Sequence, residues 1–98
     1  MTLLEQVNQL EEVKRWFAQI GFQAVSLIEV MQTALEAHEL WEKAEREHLG
    51  SFHQRMELCN YAEWLTRKAL AAVRGQQFEE EYEGVPRIIL EPFEKVRP

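Results

Sequence analysis

Apolar residues recur at intervals of three and four along most of this chain, and glycine interrupts the pattern at Gly21, Gly50 and Gly75. The first stripe runs through Leu3, Val7, Leu10, Val13, Phe17 and Ile20, with Leu4 and Trp16 at its edges. That spacing puts the six residues on one face of an α-helix. Thr2 is a fair N-cap and Glu5 completes a capping box three residues on, so a helix is predicted from Thr2 to Ile20. A helix interior disfavours Gly by about 1 kcal/mol relative to Ala, whereas the position just past a helix end accepts it, so each glycine reads as a terminator.

The second segment, Phe22 to Leu49, also reads as helix. Ala24, Ile28, Met31 and Leu35 share one face, but Ala37, Leu40, Trp41 and Ala44 lie on another. With 3.6 residues per turn, the mean apolar direction rotates by about a third of a turn along the segment. Either the helix kinks or changes packing partner near Leu35, or it stays straight and turns glutamates toward the interior. A third helix is predicted from Ser51, its N-cap, to Arg74. Its core stripe is Leu58, Ala62, Leu65, Ala69 and Ala72, flanked by Tyr61 and Val73.

The fold class expected from this pattern is all-α: an antiparallel bundle of three long helices over residues 1–75, followed by a tail over 76–98. Within the tail, prolines at 86 and 92 bracket Arg87-Ile88-Ile89-Leu90. Proline disfavours a helix interior and Ile-Ile-Leu favours an extended form, so 87–90 is expected as a short strand. Ile88, Ile89 and Leu90 are then candidate partner-binding residues. They would pack over the helices, pair with the same segment of another subunit, or add to another protein's sheet edge.

At 98 residues there is room for one domain with a modest core, which makes a homo-oligomer an economical way to complete it. The formal net charge is −6 and all 17 acidic residues are glutamate, a bias that suits helix interiors. Lys and Arg are interspersed with acids, as in Glu11–Arg15, Glu39–Lys43 and Glu63–Arg67, which argues against binding to a nucleic-acid backbone. Cys59 is the only cysteine, so no internal disulfide forms. No apolar run reaches the roughly 20 residues of a membrane span, and Glu5, Glu11 and Glu12 interrupt any leader-like stretch. These features are those of a soluble, cytoplasmic protein without membrane association.

Chemistry is most concentrated around the Gly50 turn. Glu39 and Glu42 lie one turn apart and, in a straight second helix, point the same way as Ile28, Met31 and Leu35. Buried carboxylates require protons, cations or a metal. On the third helix His53, Glu57, Asn60 and Trp64 follow one another at steps of four, three and four. Glu39, Glu42, Glu57 and the Asn60 amide oxygen would form a hard oxygen-ligand set suited to Mg²⁺.

The stretch His38-Glu39-Leu40-Trp41-Glu42-Lys43-Ala44, then Gly50, then Glu57-Leu58-Cys59-Asn60 resembles the MazG-like all-α nucleoside triphosphate pyrophosphohydrolases. Their signature is Glu-x-x-Glu on one helix and Glu-x-x-Asp on the next. Glu39-x-x-Glu42 and Glu57-x-x-Asn60 match that order, with Asn60 in place of the final aspartate. The resemblance spans about 25 of the 98 residues. It implies that Glu39, Glu42, Glu57 and Asn60 hold magnesium; His53 and Trp64, on the same stripe as Glu57 and Asn60, are then the candidate substrate-binding residues. The bound metal would polarise a triphosphate for attack by water.

A plainer reading makes these glutamates solvated face residues paired with Lys43, Arg46 and their neighbours. His38, His48 and His53 then read as surface or boundary residues, and Glu45-x-x-His48 as half of a di-iron motif that has no second copy. Cys59 reads as a small buried hydrophobe, and Trp16, Trp41 and Trp64 as packing at helix or subunit edges. On balance the sequence points to a small acidic helical protein that engages other chains without catalysis, with the pyrophosphohydrolase as the alternative.

Overall fold

Four helices carry the chain: α1 (Leu3–Ile20), α2 (Val25–Glu47), α3 (Phe52–Val73) and α4 (Pro86–Glu94). The structure is a computed structural model that describes residues 2–20 and 25–94, with side chains described over 2–16 and 27–94. No strand occurs among the described residues, in line with the expected all-helical class. Gly21, Phe22 and Ala24 lie outside the described residues.

The helix ends follow local chemistry. The Glu5 N–H donates to Thr2 Oγ1 at 3.2 Å. At α3 the Ser51 hydroxyl accepts from the Gln54 N–H at 3.1 Å, and Gln54 Oε1 accepts from the Ser51 N–H at 2.9 Å, closing a reciprocal capping box. Helix α2 stops at Glu47, two residues before the expected Leu49. There the Leu49 N–H turns back to the Ala44 carbonyl at 2.9 Å, with His48 in the left-handed region at φ 53°. This is a Schellman closure in which histidine takes the place usual for glycine. Gly75, at φ 67°, closes α3 in the same way, with the Gln76 N–H bonded to the Ala71 carbonyl at 2.8 Å.

Helix α2 is unbroken, and the rotation of its apolar face reflects a change of packing partner. Leu35 faces α1 beside Lys14 and Arg15. Ala37 and Leu40 instead face Tyr61, Leu65 and Leu90 of α3 and α4. With two neighbours on different flanks, α2 buries Met31 and Leu35 of one stripe and Ala37 and Ala44 of the other, and leaves Glu36 and Glu39 outside. The core is completed by Val7 and Leu10 of α1, Leu58, Ala62 and Ala69 of α3, and Ile89 and Phe93 of α4.

The expected strand at 87–90 is overturned: these residues belong to α4. Pro86 occupies the first helical position, where its missing N–H would have no intrahelical partner anyway. The N–H groups of Ile88 and Ile89 both donate to the Val85 carbonyl, at 3.0 and 3.1 Å, so neither is free to extend a sheet. Pro92 lies within the last turn. What stabilises so short a helix is burial: Ile89 and Phe93, four apart on one face, are sunk in the core.

Between α3 and α4, residues 76–85 run as a non-helical strap against α3. The Trp64 indole N–H donates to the Glu80 carbonyl at 2.9 Å, and Arg67 holds the Glu80 carboxylate through Nε at 3.1 Å and a terminal nitrogen at 2.6 Å. No helix among the described residues is long and apolar enough to cross a membrane.

Candidate functional site

The four residues proposed as magnesium ligands are not brought together as a ligand set. Glu39 and Asn60 are exposed. Glu42 accepts from Nδ1 of His38 at 3.0 Å, one turn back on its own helix, and Glu57 pairs with Nε2 of His53 at 2.9 Å in the same way. Among the described residues, no group of three or more His, Cys, Asp or Glu side chains converges closely enough to hold a metal ion. As arranged, these side chains do not fit the implied Mg²⁺.

The histidines divide. His53 is 83% exposed, as expected of a surface residue. His38 is not a boundary residue: it is 5% exposed and buried, with its ring centroid 5.8 Å from that of Trp41. It lies on the flank of α2 that also carries the buried Ala34 and Leu35, and the Glu42 carboxylate satisfies its ring nitrogen.

Trp64, the other substrate-side candidate, is the hub of an aromatic cluster. Its ring stands 6.4 Å from Tyr61, 5.8 Å from Phe78 and 5.5 Å from Tyr82, centroid to centroid, and Lys68 Nζ lies 5.1 Å over it. Its faces and its N–H are used internally, to fix the strap onto α3. Burial pushes the Tyr61 and Tyr82 hydroxyls above the ordinary tyrosine range, and for Tyr82 the Glu57 carboxylate adds to the effect. Cys59 is half-buried, and its thiol is likewise raised, first by burial and then by Glu63 and Glu45. That environment disfavours the thiolate a nucleophile needs.

Two surface features stand out among the described residues. The first is apolar: Phe52 and Met56, one turn apart on α3, are 69% and 41% exposed. Arg55 on one side of them is bonded to Glu45 at 3.2 Å, and the His53–Glu57 pair stands on the other. The second is a cavity of about 240 Å³ between α2, α3 and α4, lined by Thr33, Glu36, Ala37, Leu40, Tyr61, Leu65, Leu90 and Glu94. Through Glu36 and Leu40 it continues into a cleft of about 390 Å³ that also touches Glu39 and Lys43. Glu39 borders a further cleft toward Lys14 and Arg15 of α1.

Sequence reasoning missed both features. Phe52 and Met56 precede the core stripe and stand off it, which was the available signal. The cavity depends on α4 being a helix, so an extended 87–90 gives no sign of it. Of the three residues expected to engage a partner there, Ile89 is buried, Leu90 lines the cavity and only Ile88 is well exposed.

Compared with known protein families, curated proteins and solved structures, the chain finds no match in any of the three.

Proposed function

We propose that this protein is a non-catalytic interaction module that self-associates through the first turns of α3. In this reading α1, α2 and α3 form the antiparallel bundle, and α4 with the strap braces it. The supporting observation is the exposed pair Phe52 and Met56. Large apolar side chains adjacent on an otherwise charged helix favour an interface, and aromatic and Met residues are the types enriched in interface cores. A second copy is the favoured occupant because the flanking Glu45 and Glu57 already have partners within the chain, Arg55 and His53. Two such patches can meet with less repulsion than a net charge of −6 would suggest.

The test is molar mass in solution, by light scattering or sedimentation, for the native chain and for the double variant F52E/M56E. A native dimer that the variant converts to a folded monomer is expected. A monomeric native chain at tens of micromolar (on the order of the Kd of a weak dimer) overturns the proposal.

The pyrophosphohydrolase reading rests on the Glu39-x-x-Glu42 and Glu57-x-x-Asn60 spacing and lacks comparable support from geometry. Release of pyrophosphate from nucleoside triphosphates with Mg²⁺, abolished by Glu39→Gln, would reinstate it.

A further inference from the structure

The geometry points to the α2–α3–α4 groove as the docking site for a basic amphipathic helix of a partner protein, inserting one large apolar side chain between two carboxylates. The floor of the cavity is Ala37, Leu40, Leu65 and Leu90, with Glu36 and Glu94 at its rim. The cavity holds about 240 Å³, room for a single anchoring side chain, and the cleft that continues from it along α2 gives the rest of a helix a surface to lie on. Helix-in-groove recognition works in this way, with an apolar anchor seated in a pocket and polar contacts at its edge.

Charge decides the chemistry of the occupant. Glu36 is bonded only to the neutral Gln32 amide, at 3.0 Å, and neither Glu36 nor Glu94 is in an ion pair among the described residues. Where the groove continues along α2, Glu39 adds a third carboxylate beside the Lys43 ammonium, while Lys14 and Arg15 approach Glu39 from the α1 side, outside the cavity itself. Among the described residues the cavity is lined by the carboxylates of Glu36 and Glu94 and by no Lys or Arg, an arrangement that complements an anchor flanked by Lys or Arg and repels an acidic helix. The groove lies away from Phe52 and Met56, so this inference stands whether or not the chain self-associates.

The probe is a synthetic Leu/Lys amphipathic peptide of about 18 residues, five turns of helix, labelled for fluorescence anisotropy and titrated with the full chain. A Leu/Glu peptide of the same pattern is the control. Saturable binding of the Leu/Lys peptide alone is expected, weakened about tenfold or more in E36K/E94K, the loss of two close charge contacts. Binding should be unchanged in E5K/E83K, which alters net charge equally at exposed positions elsewhere. In the native chain the peptide should shift the amide resonances of Leu40, Leu65 and Leu90, and F52E/M56E should bind it normally. Any of three results overturns the proposal: no saturable binding, equal weakening in both charge variants, or resonance shifts at Phe52 and Met56 instead of the groove.

Discussion

The indole N–H of Trp64 meets the backbone carbonyl of Glu80 at 2.9 Å, so a side chain of α3 fixes the strap by its backbone, beside the Arg67 contact to the Glu80 carboxylate. Trp41 makes the opposite case, because its buried indole N–H has no acceptor among the described residues. A satisfied hydrogen bond contributes about 1 kcal/mol, whereas a buried donor without an acceptor costs about 1–3 kcal/mol. Trp64→Phe should therefore destabilise the protein by about 1–2 kcal/mol. Trp41→Phe should stay within about 1 kcal/mol of the native chain, since the lost packing is offset by removal of an unsatisfied group. Urea denaturation of the two variants checks this, and equal losses would contradict it.

Phe93 is 1% exposed, near the end of the described chain. If α4 were a peripheral tail, truncating it would matter little. Because the ring fills the core beside α3, Phe93→Ala should cost about 3–5 kcal/mol, as large-to-small changes in cores do. The neighbouring Ile88→Ala, at an exposed position, should stay within about 0.5 kcal/mol. Thermal unfolding of both variants separates a core helix from an appended one.

That contrast marks where the sequence was legible. The stripe of α1 from Leu3 to Val13 (the side chains of Phe17 and Ile20 lie outside the described residues), the stripe of α3, the caps at Thr2 and Ser51 and the terminator at Gly75 could be read because each is encoded within a few residues. The fate of 86–94 was not, because intrinsic preference favoured extension and burial of Ile89 and Phe93 overrode it. The stop at His48 was hidden for a related reason: a left-handed histidine carries no compositional signal, whereas Gly50 two residues later does. As for the candidate site, spacing put Glu39 with Glu42 and Glu57 with Asn60, but spacing does not say which way a helix faces. Two neighbours on two flanks of α2 left Glu39 in solvent, and each remaining glutamate found a histidine one turn away.

Gly50 and Gly75 share φ 67° but not surroundings. A Cβ at Gly75 meets nothing within 4 Å, so Gly75→Ala should cost only the left-handed strain, about 1–2 kcal/mol. A Cβ at Gly50 would come within 2.8 Å of Gln54 Oε1, the atom that accepts the Ser51 N–H in the capping box, and 3.4 Å of Phe93 Cε1. Moving Gln54 aside breaks the cap, adding about 1 kcal/mol. Gly50→Ala is expected to be the more damaging by that margin in chemical denaturation, and Gly50→Ala combined with Gln54→Ala should lose less than the sum of the two single changes.

The chain has two tyrosines, Tyr61 and Tyr82, with ring centroids 5.3 Å apart, and burial raises both hydroxyl pKa values. Burial disfavours the phenolate in the folded state, while an unfolded tyrosine ionises near roughly pH 10. Below that pH both states hold their protons and the contribution to stability is fully present. As pH climbs past the unfolded value, the unfolded chain releases protons that the folded chain retains, and stability falls until the folded hydroxyls ionise too. Absorbance at the phenolate band should therefore rise later for the native protein than for the same chain in urea. The alkaline loss of stability should shrink in Tyr82→Phe, and in Glu57→Gln the Tyr82 titration should move down, because the carboxylate that adds to the upward shift is gone. Coincident native and denatured titration curves would contradict burial of the two phenols.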